Sequence, residues 1–199
     1  VVAGDPVLHI PLGPLSGLYT TKLFAGLAQR SGLVLANGDP AIGKTYSDPD
    51  LLLVRNAVLG ACDALDGLVD GIVDNQPACT PAVVNPALAA IQCTGAKTAT
   101  CLSADQISTL KTAYAGAVNS QGTQLYSDWQ WDAGVSGLSG TSYSQNWRSW
   151  WLGSATSATN NATKLSFATA EAIIYTTPPL LPLTSADSLS YSLNYNFDT

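Results

Sequence analysis

Leu18, Leu23, Phe24 and Leu27 recur at close to helical spacing and the run stops at Gly32, which predicts a helix over Leu15–Arg30 with one apolar face in need of a partner. A Gly- and Pro-rich loop follows. Ser47-Asp48-Pro49 then reads as a helix start, an N-cap serine ahead of a proline in the first turn, and Leu51, Val54, Val58 and Ala61 place one stripe on a helix over Pro49–Ala61. Ser103-Ala-Asp-Gln106 is a capping box opening a third helix whose inner face is Ile107, Leu110 and Tyr114, ended by Gly116.

Elsewhere the pattern is weaker. Val1–Pro6 reads as a short buried strand broken by Gly and Pro. Residues 119–146 lack helical periodicity and read as loops with one or two short strands, and 147–153 form an aromatic cluster. A short helix over Ala168–Ile174 ends where Pro178 and Pro179 force an extended stretch, and the weakly alternating tail reads as a possible strand. No internal repeat interrupts what reads as one domain.

Only 11% of the 199 residues are charged, well below the usual quarter, and small polar residues fill the loops, as on an extracellular surface. A net charge of −6, with eight Lys and Arg of which no two are adjacent, argues against nucleic acid or an anionic membrane as partner. No apolar run approaches the roughly 18 residues of a membrane span.

Cys62, Cys79, Cys93 and Cys101 lack the paired C-x2-C spacing of a zinc site, so two disulfides, nested or sequential, are expected, and with them an oxidising compartment. Sequential closure would contribute about 3 kcal/mol per bridge in the loop-entropy description. Four buried free thiols are the competing reading.

The chemistry concentrates between Asp63 and Asp74. Asp63, Asp66, Asp70 and Asp74 stand within this stretch with no basic residue between them, so their mutual repulsion calls for a cation. Calcium suits such a segment, because it takes six to eight oxygens from carboxylates and backbone carbonyls, and Gly67 and Gly71 permit the turns. An EF-hand is excluded: the closing glutamate is missing, and the chain's only Glu is Glu171. The plainer alternative is a solvated acidic loop.

The run Ala61-Cys-Asp-Ala-Leu-Asp-Gly-Leu-Val-Asp-Gly-Ile-Val-Asp-Asn75 resembles the calcium-site motif of the tannase and feruloyl esterase family. Residues 93–103, 131–140 and 147–154 are similar to the branch of that family that hydrolyses terephthalate monoesters, and the similarity extends over nearly the whole chain. The resemblance implies an α+β fold: a mainly helical, loop-rich lid domain of an α/β-hydrolase, with small strands, a calcium site and two disulfides. Residues 1–6 would be a residual strand of the hydrolase core and 7–199 the substrate-binding lid. It further implies calcium ligation by the side chains of Asp63, Asp66 and Asp70 and the carbonyls of Leu68 and Ile72, with Asp74 just outside, and pairing of Cys62 with Cys79 and Cys93 with Cys101.

For the substrate, the resemblance makes Trp150 a plate for the aromatic ring of a bound ester, with Phe167 and Tyr175 as further ring contacts. Lys164 stands where that branch carries an arginine meeting a free carboxylate. A lysine offers a mobile point charge instead of a bidentate fork, which relaxes any terephthalate monoester specificity. A core or inter-domain contact is the bland reading for each aromatic.

No Ser-His-Asp triad is legible. G-x-S-x-G and the family's Cys-Ser-x-Gly-Gly are both missing, and His9, the one histidine, sits in an apolar run beside Pro11 as a packing residue. The expectation is thus a substrate-binding lid of a secreted or periplasmic serine carboxylic-ester hydrolase for aromatic acid esters, not catalytic alone. Its partners would be the parent's α/β-hydrolase catalytic domain and the ester. The alternative is a stand-alone calcium-stabilised binding module for aromatic or phenolic ligands, and an enzyme working through aspartates alone is a weaker third. A lid should leave the Leu18–Leu27 face uncovered, whereas a module should not.

Overall fold

The computed structural model describes residues 12–36, 38–118, 121–124 and 127–135, with side chains from residue 19 onward. Among the described residues four helices carry the fold: α1 (Leu12–Arg30), α2 (Asp48–Cys62), α3 (Pro81–Ala90) and α4 (Ala104–Tyr114). Short 3-10 turns lie at Ile42–Lys44, Asp63–Asp66, Gln76–Ala78 and Ala133–Val135. Among the described residues, strand pairing is limited to isolated bridges, Val34 with Pro40, Gln92 with Leu102 and Val118 with Gln124. Of the stretch 119–146, expected as loops with one or two short strands, the described residues 121–124 and 127–135 hold a bridge end and a 3-10 turn, and the rest lies outside the described residues.

α2 and α4 begin where side chains satisfy their first N–H groups, whereas α3 starts at Pro81 without a side-chain cap. In α2, Ser47 Oγ accepts from Asp50 N at 3.4 Å while Asp50 Oδ2 accepts from Ser47 N at 2.9 Å. In α4, Ser103 Oγ accepts from Gln106 N at 3.1 Å and Gln106 Oε1 accepts from Ser103 N at 2.9 Å. Gly116, at φ 87°, takes the left-handed conformation that ends α4. The sequence pattern alone did not suggest α3. Pro81 starts it, but Pro86 within it removes a ladder donor, and only Val84 and Leu88 are buried, too few positions to set a period.

α2 packs against α3 and α1 against α4, α3 also touches α4, and the Ala133–Val135 turn closes on α2. One continuous core results, with Phe24, Leu27, Tyr46, Leu51, Val54, Val58, Val84, Leu88, Leu102 and Leu110 essentially sealed from solvent. Phe24 meets the Tyr46 ring edge-on at 5.9 Å between centroids. Trp131 stacks flat on Tyr114 at 3.6 Å, tying the segment after α4 to that helix. On the Leu18–Leu27 face, which a lid would leave bare and a stand-alone module would cover, Phe24 and Leu27 are sealed from solvent within this chain and Leu23 is half-buried, while the Leu18 side chain lies outside the described residues.

Both cysteine pairs are sequential disulfides, Cys62–Cys79 and Cys93–Cys101. The first is buried in the core beside the end of α2. The second closes the connection between α3 and α4, where Cys93 N donates to Leu102 O and Leu102 N to Ile91 O, both at 2.8 Å.

Candidate functional site

α2 runs directly into the acidic segment. Its last residue, Cys62, is pinned to Cys79, so the chain between them forms a loop with both ends fixed to the core. Asp63 caps the helix, and the 3-10 turn Asp63–Asp66 ends at Gly67, whose φ of 95° only glycine adopts at ease. Gly71, at φ 85°, makes the second reversal. Val73 is buried and anchors the loop from beneath.

These two turns fold the segment back over Asp63. Its carboxylate is 8% exposed and accepts from the backbone: Oδ1 from Asp70 N at 3.2 Å and Gly71 N at 3.1 Å, Oδ2 from Gly71 N at 3.2 Å. Asp66 and Asp70 each accept from the N–H two residues on, Leu68 N at 2.8 Å and Ile72 N at 3.1 Å, the turn that aspartate forms with its own backbone. Asn75 Nδ2 donates to Leu65 O at 3.0 Å, closing the loop's base.

The donor set is oxygen only. Among the described residues no basic side chain pairs with Asp63, Asp66, Asp70 or Asp74, and the carbonyls of Leu68 and Ile72 accept no hydrogen bond. In kind these groups fit a hard divalent cation. In position they do not converge: among the described residues no three or more His, Cys, Asp or Glu side chains gather as a metal site. Asp63, Asp66 and Asp70 each turn at least one carboxylate oxygen to a backbone N–H instead. Leu65, Leu68, Val69 and Ile72 project from the same loop into solvent.

A second polar cluster, which sequence reading missed, joins the two capping boxes. Gln106 Nε2 donates to Thr45 O at 2.8 Å and to Asp50 Oδ2 at 3.3 Å, while Tyr46 Oη donates to Gln106 O at 2.6 Å. Lys97 Nζ lies 2.6 Å from Asp50 Oδ1. Burial first, then the negative charges of Asp50 and Asp105, pushes the Tyr46 hydroxyl well above its ordinary pKa. The Ser47 and Ser103 motifs signalled each cap. Nothing in either motif signals that they meet, nor that Lys97 neutralises one of them. Asp132, beside the Trp131 stack, is a further half-buried carboxyl; burial raises its pKa, opposed by the N–H of Gly134 at 2.6 Å.

Trp150, Lys164, Phe167 and Tyr175, the expected substrate contacts, lie outside the described residues, as do His9 and the strand expected over 1–6. The structure therefore brings together the acidic loop and its disulfide, and it leaves the substrate contacts to the sequence. Among the described residues no helix is long and apolar enough to cross a membrane.

Comparison with known proteins adds what geometry does not. The family described as tannase and feruloyl esterase matches residues 24–192. Mono(2-hydroxyethyl) terephthalate hydrolase of Piscinibacter sakaiensis is 49% identical over 207 aligned residues, which take in all of this chain and 34% of that protein. A probable feruloyl esterase B of Emericella nidulans is 31% identical over 194, covering 94% of this chain and 33% of its own length. A probable feruloyl esterase B-1 of Aspergillus flavus is 34% identical over 89, covering 44% of this chain and 16% of that protein. The chain spans about a third of the length of the first two relatives.

Proposed function

Because this chain belongs to the tannase and feruloyl esterase family, we propose that it forms the substrate-covering lid of a secreted serine carboxylic-ester hydrolase acting on aromatic acid esters. The observation that carries the reading is the 49% identity to an aromatic-ester hydrolase along the whole chain, confined to 34% of that protein's length. A single histidine, and no G-x-S-x-G or Cys-Ser-x-Gly-Gly motif, fits a role in recognition while the serine chemistry resides in the rest of the parent. Residues 1–6 are assigned to the hydrolase core and 7–199 to the lid. Two disulfides support a secreted or periplasmic location.

In this reading Trp150 stacks on the ring of the acid, Phe167 and Tyr175 extend the apolar wall, and Lys164 faces a carboxylate on the far side of the ring. Closing such a wall over the ester excludes water and holds the scissile carbonyl toward the nucleophile. Calcium is held by Asp63, Asp66 and Asp70 with the carbonyls of Leu68 and Ile72, and bound there it neutralises the loop's charge. The oxygen-only character of these groups, with no basic side chain pairing to them among the described residues, supports that assignment in kind; ion binding would draw the Asp63, Asp66 and Asp70 carboxylates together, away from the backbone N–H groups they accept from.

The test is reconstitution. This chain is added to a family hydrolase core lacking its lid, and aromatic-ester cleavage is followed. Restored turnover that is lost with Trp150→Ala is expected; kinetics unaltered by the chain would refute the lid reading. One observation favours the alternative, a stand-alone calcium-stabilised module for aromatic or phenolic ligands: Phe24 and Leu27 are already covered within the chain. That alternative requires ring-containing ligands to bind the isolated chain with no partner present.

A further inference from the structure

We infer that the Cys93–Cys101 disulfide is a redox-addressable latch, which holds Lys97 over the buried Asp50 and so secures the junction of the two capping boxes. Three observations carry this. Asp50 is 4% exposed and its carboxylate already accepts from Ser47 N and Gln106 Nε2, so a charge at this site needs a cation; among the described residues Lys97 supplies it at 2.6 Å. Lys97 stands on an exposed loop, residues 94–100, in which the described hydrogen bonds run through Lys97, Thr98 and Thr100 side chains and not through a backbone ladder. The loop's ends are held by the bridge and by the two backbone bonds beside it, Cys93 N to Leu102 O and Leu102 N to Ile91 O, and the bridge is the covalent restraint on where the ammonium sits. Finally, the two disulfides differ in access: Cys62 and Cys79 are 1% and 3% exposed, whereas Cys93 and Cys101 are both partly open to solvent.

The Thr98 hydroxyl gives the reaction a direction. Its Oγ lies 3.3 Å from Cys101 Sγ, placed to donate to a sulfur that gains charge. A thiolate attacks Cys93 Sγ, the S–S bond breaks, and its electron pair leaves on Cys101 Sγ as a thiolate met by that hydroxyl. The second thiol of a dithiol reagent then attacks the mixed disulfide, releasing Cys93 as a thiol. Two electrons pass to the protein, and the reagent ends as its own cyclic disulfide. With the loop open, Lys97 regains its freedom and Asp50 is left buried without its cation.

The full chain is treated with dithiothreitol under native conditions, alkylated at intervals, peptide-mapped and melted. Cys93 and Cys101 should label about tenfold or more ahead of Cys62 and Cys79. The melting temperature should fall by about 5 °C or more on this selective reduction. In Lys97→Met the ion pair is already gone, so the further fall on reduction should be clearly smaller than in the parent chain. With 2-mercaptoethanol, the trapped mixed disulfide should sit on Cys93. Equal labelling of all four cysteines, or an undiminished fall in Lys97→Met, would overturn the latch; a mixed disulfide chiefly on Cys101 would overturn its direction.

Discussion

Asp50 and Asp63 are both nearly sealed from solvent, at 4% and 8% exposure, yet different partners hold them. Asp50 has a lysine, a glutamine amide and its own helix cap, whereas Asp63 has only backbone N–H groups. Removing Asp63 with Asp63→Ala orphans the N–H groups of Asp70 and Gly71 and should cost about 1–3 kcal/mol in urea unfolding, with Asp63→Asn losing less because an amide oxygen can still accept. Tyr46 makes a pH-dependent prediction. Its folded-state pKa is raised, so its contribution is complete below the unfolded value of about 10 and is lost as pH rises from there through the folded value. Stability measured across alkaline pH should fall above about 10, and Tyr46→Phe, though weaker by about 1 kcal/mol at neutral pH through loss of its bond to Gln106 O, should lack that part of the decline.

At the scale of elements, local signals and long-range pairing part company. Ser47 and Ser103 announced α2 and α4 because a cap is written within four neighbouring residues, a serine ahead of Pro49 in one and a capping box in the other, and Leu51, Val54, Ile107 and Leu110 set the buried faces that the structure carries. α3 stayed hidden behind its own prolines. Lys97 and Asp50, 47 residues apart, and Gln106 with Thr45, 61 apart, answer to tertiary packing that no short window contains. The acidic loop was legible as a segment through its aspartates and glycines, but which backbone N–H groups Asp63, Asp66 and Asp70 accept from depends on the φ that Gly67 and Gly71 adopt. Ser103→Ala should cost about 1 kcal/mol by thermal or chemical unfolding. The pair Cys62→Ser and Cys79→Ser should cost about 2–4 kcal/mol, since the bridge closes the loop that bears the acidic segment.

On the scale of the whole molecule, α1 to α4 enclose a core of their own, and the loop between Cys62 and Cys79 stands at its surface carrying negative charge and exposed Leu68, Val69 and Ile72. Such a chain can be ordered by itself and still serve, as proposed above, as one wall of a larger site. If calcium neutralises the loop, a chelator should lower the melting temperature of the chain, and Asp63→Ala should remove that response. The most direct measurement replaces the matching third of the Piscinibacter sakaiensis hydrolase with this chain and follows the turnover of aromatic acid esters by the purified, folded chimera. Hydrolysis should be retained, and Trp150→Ala should lower its kcat/KM by about tenfold or more. A folded chimera that cleaves no aromatic ester, or one indifferent to Trp150→Ala, would contradict the lid reading.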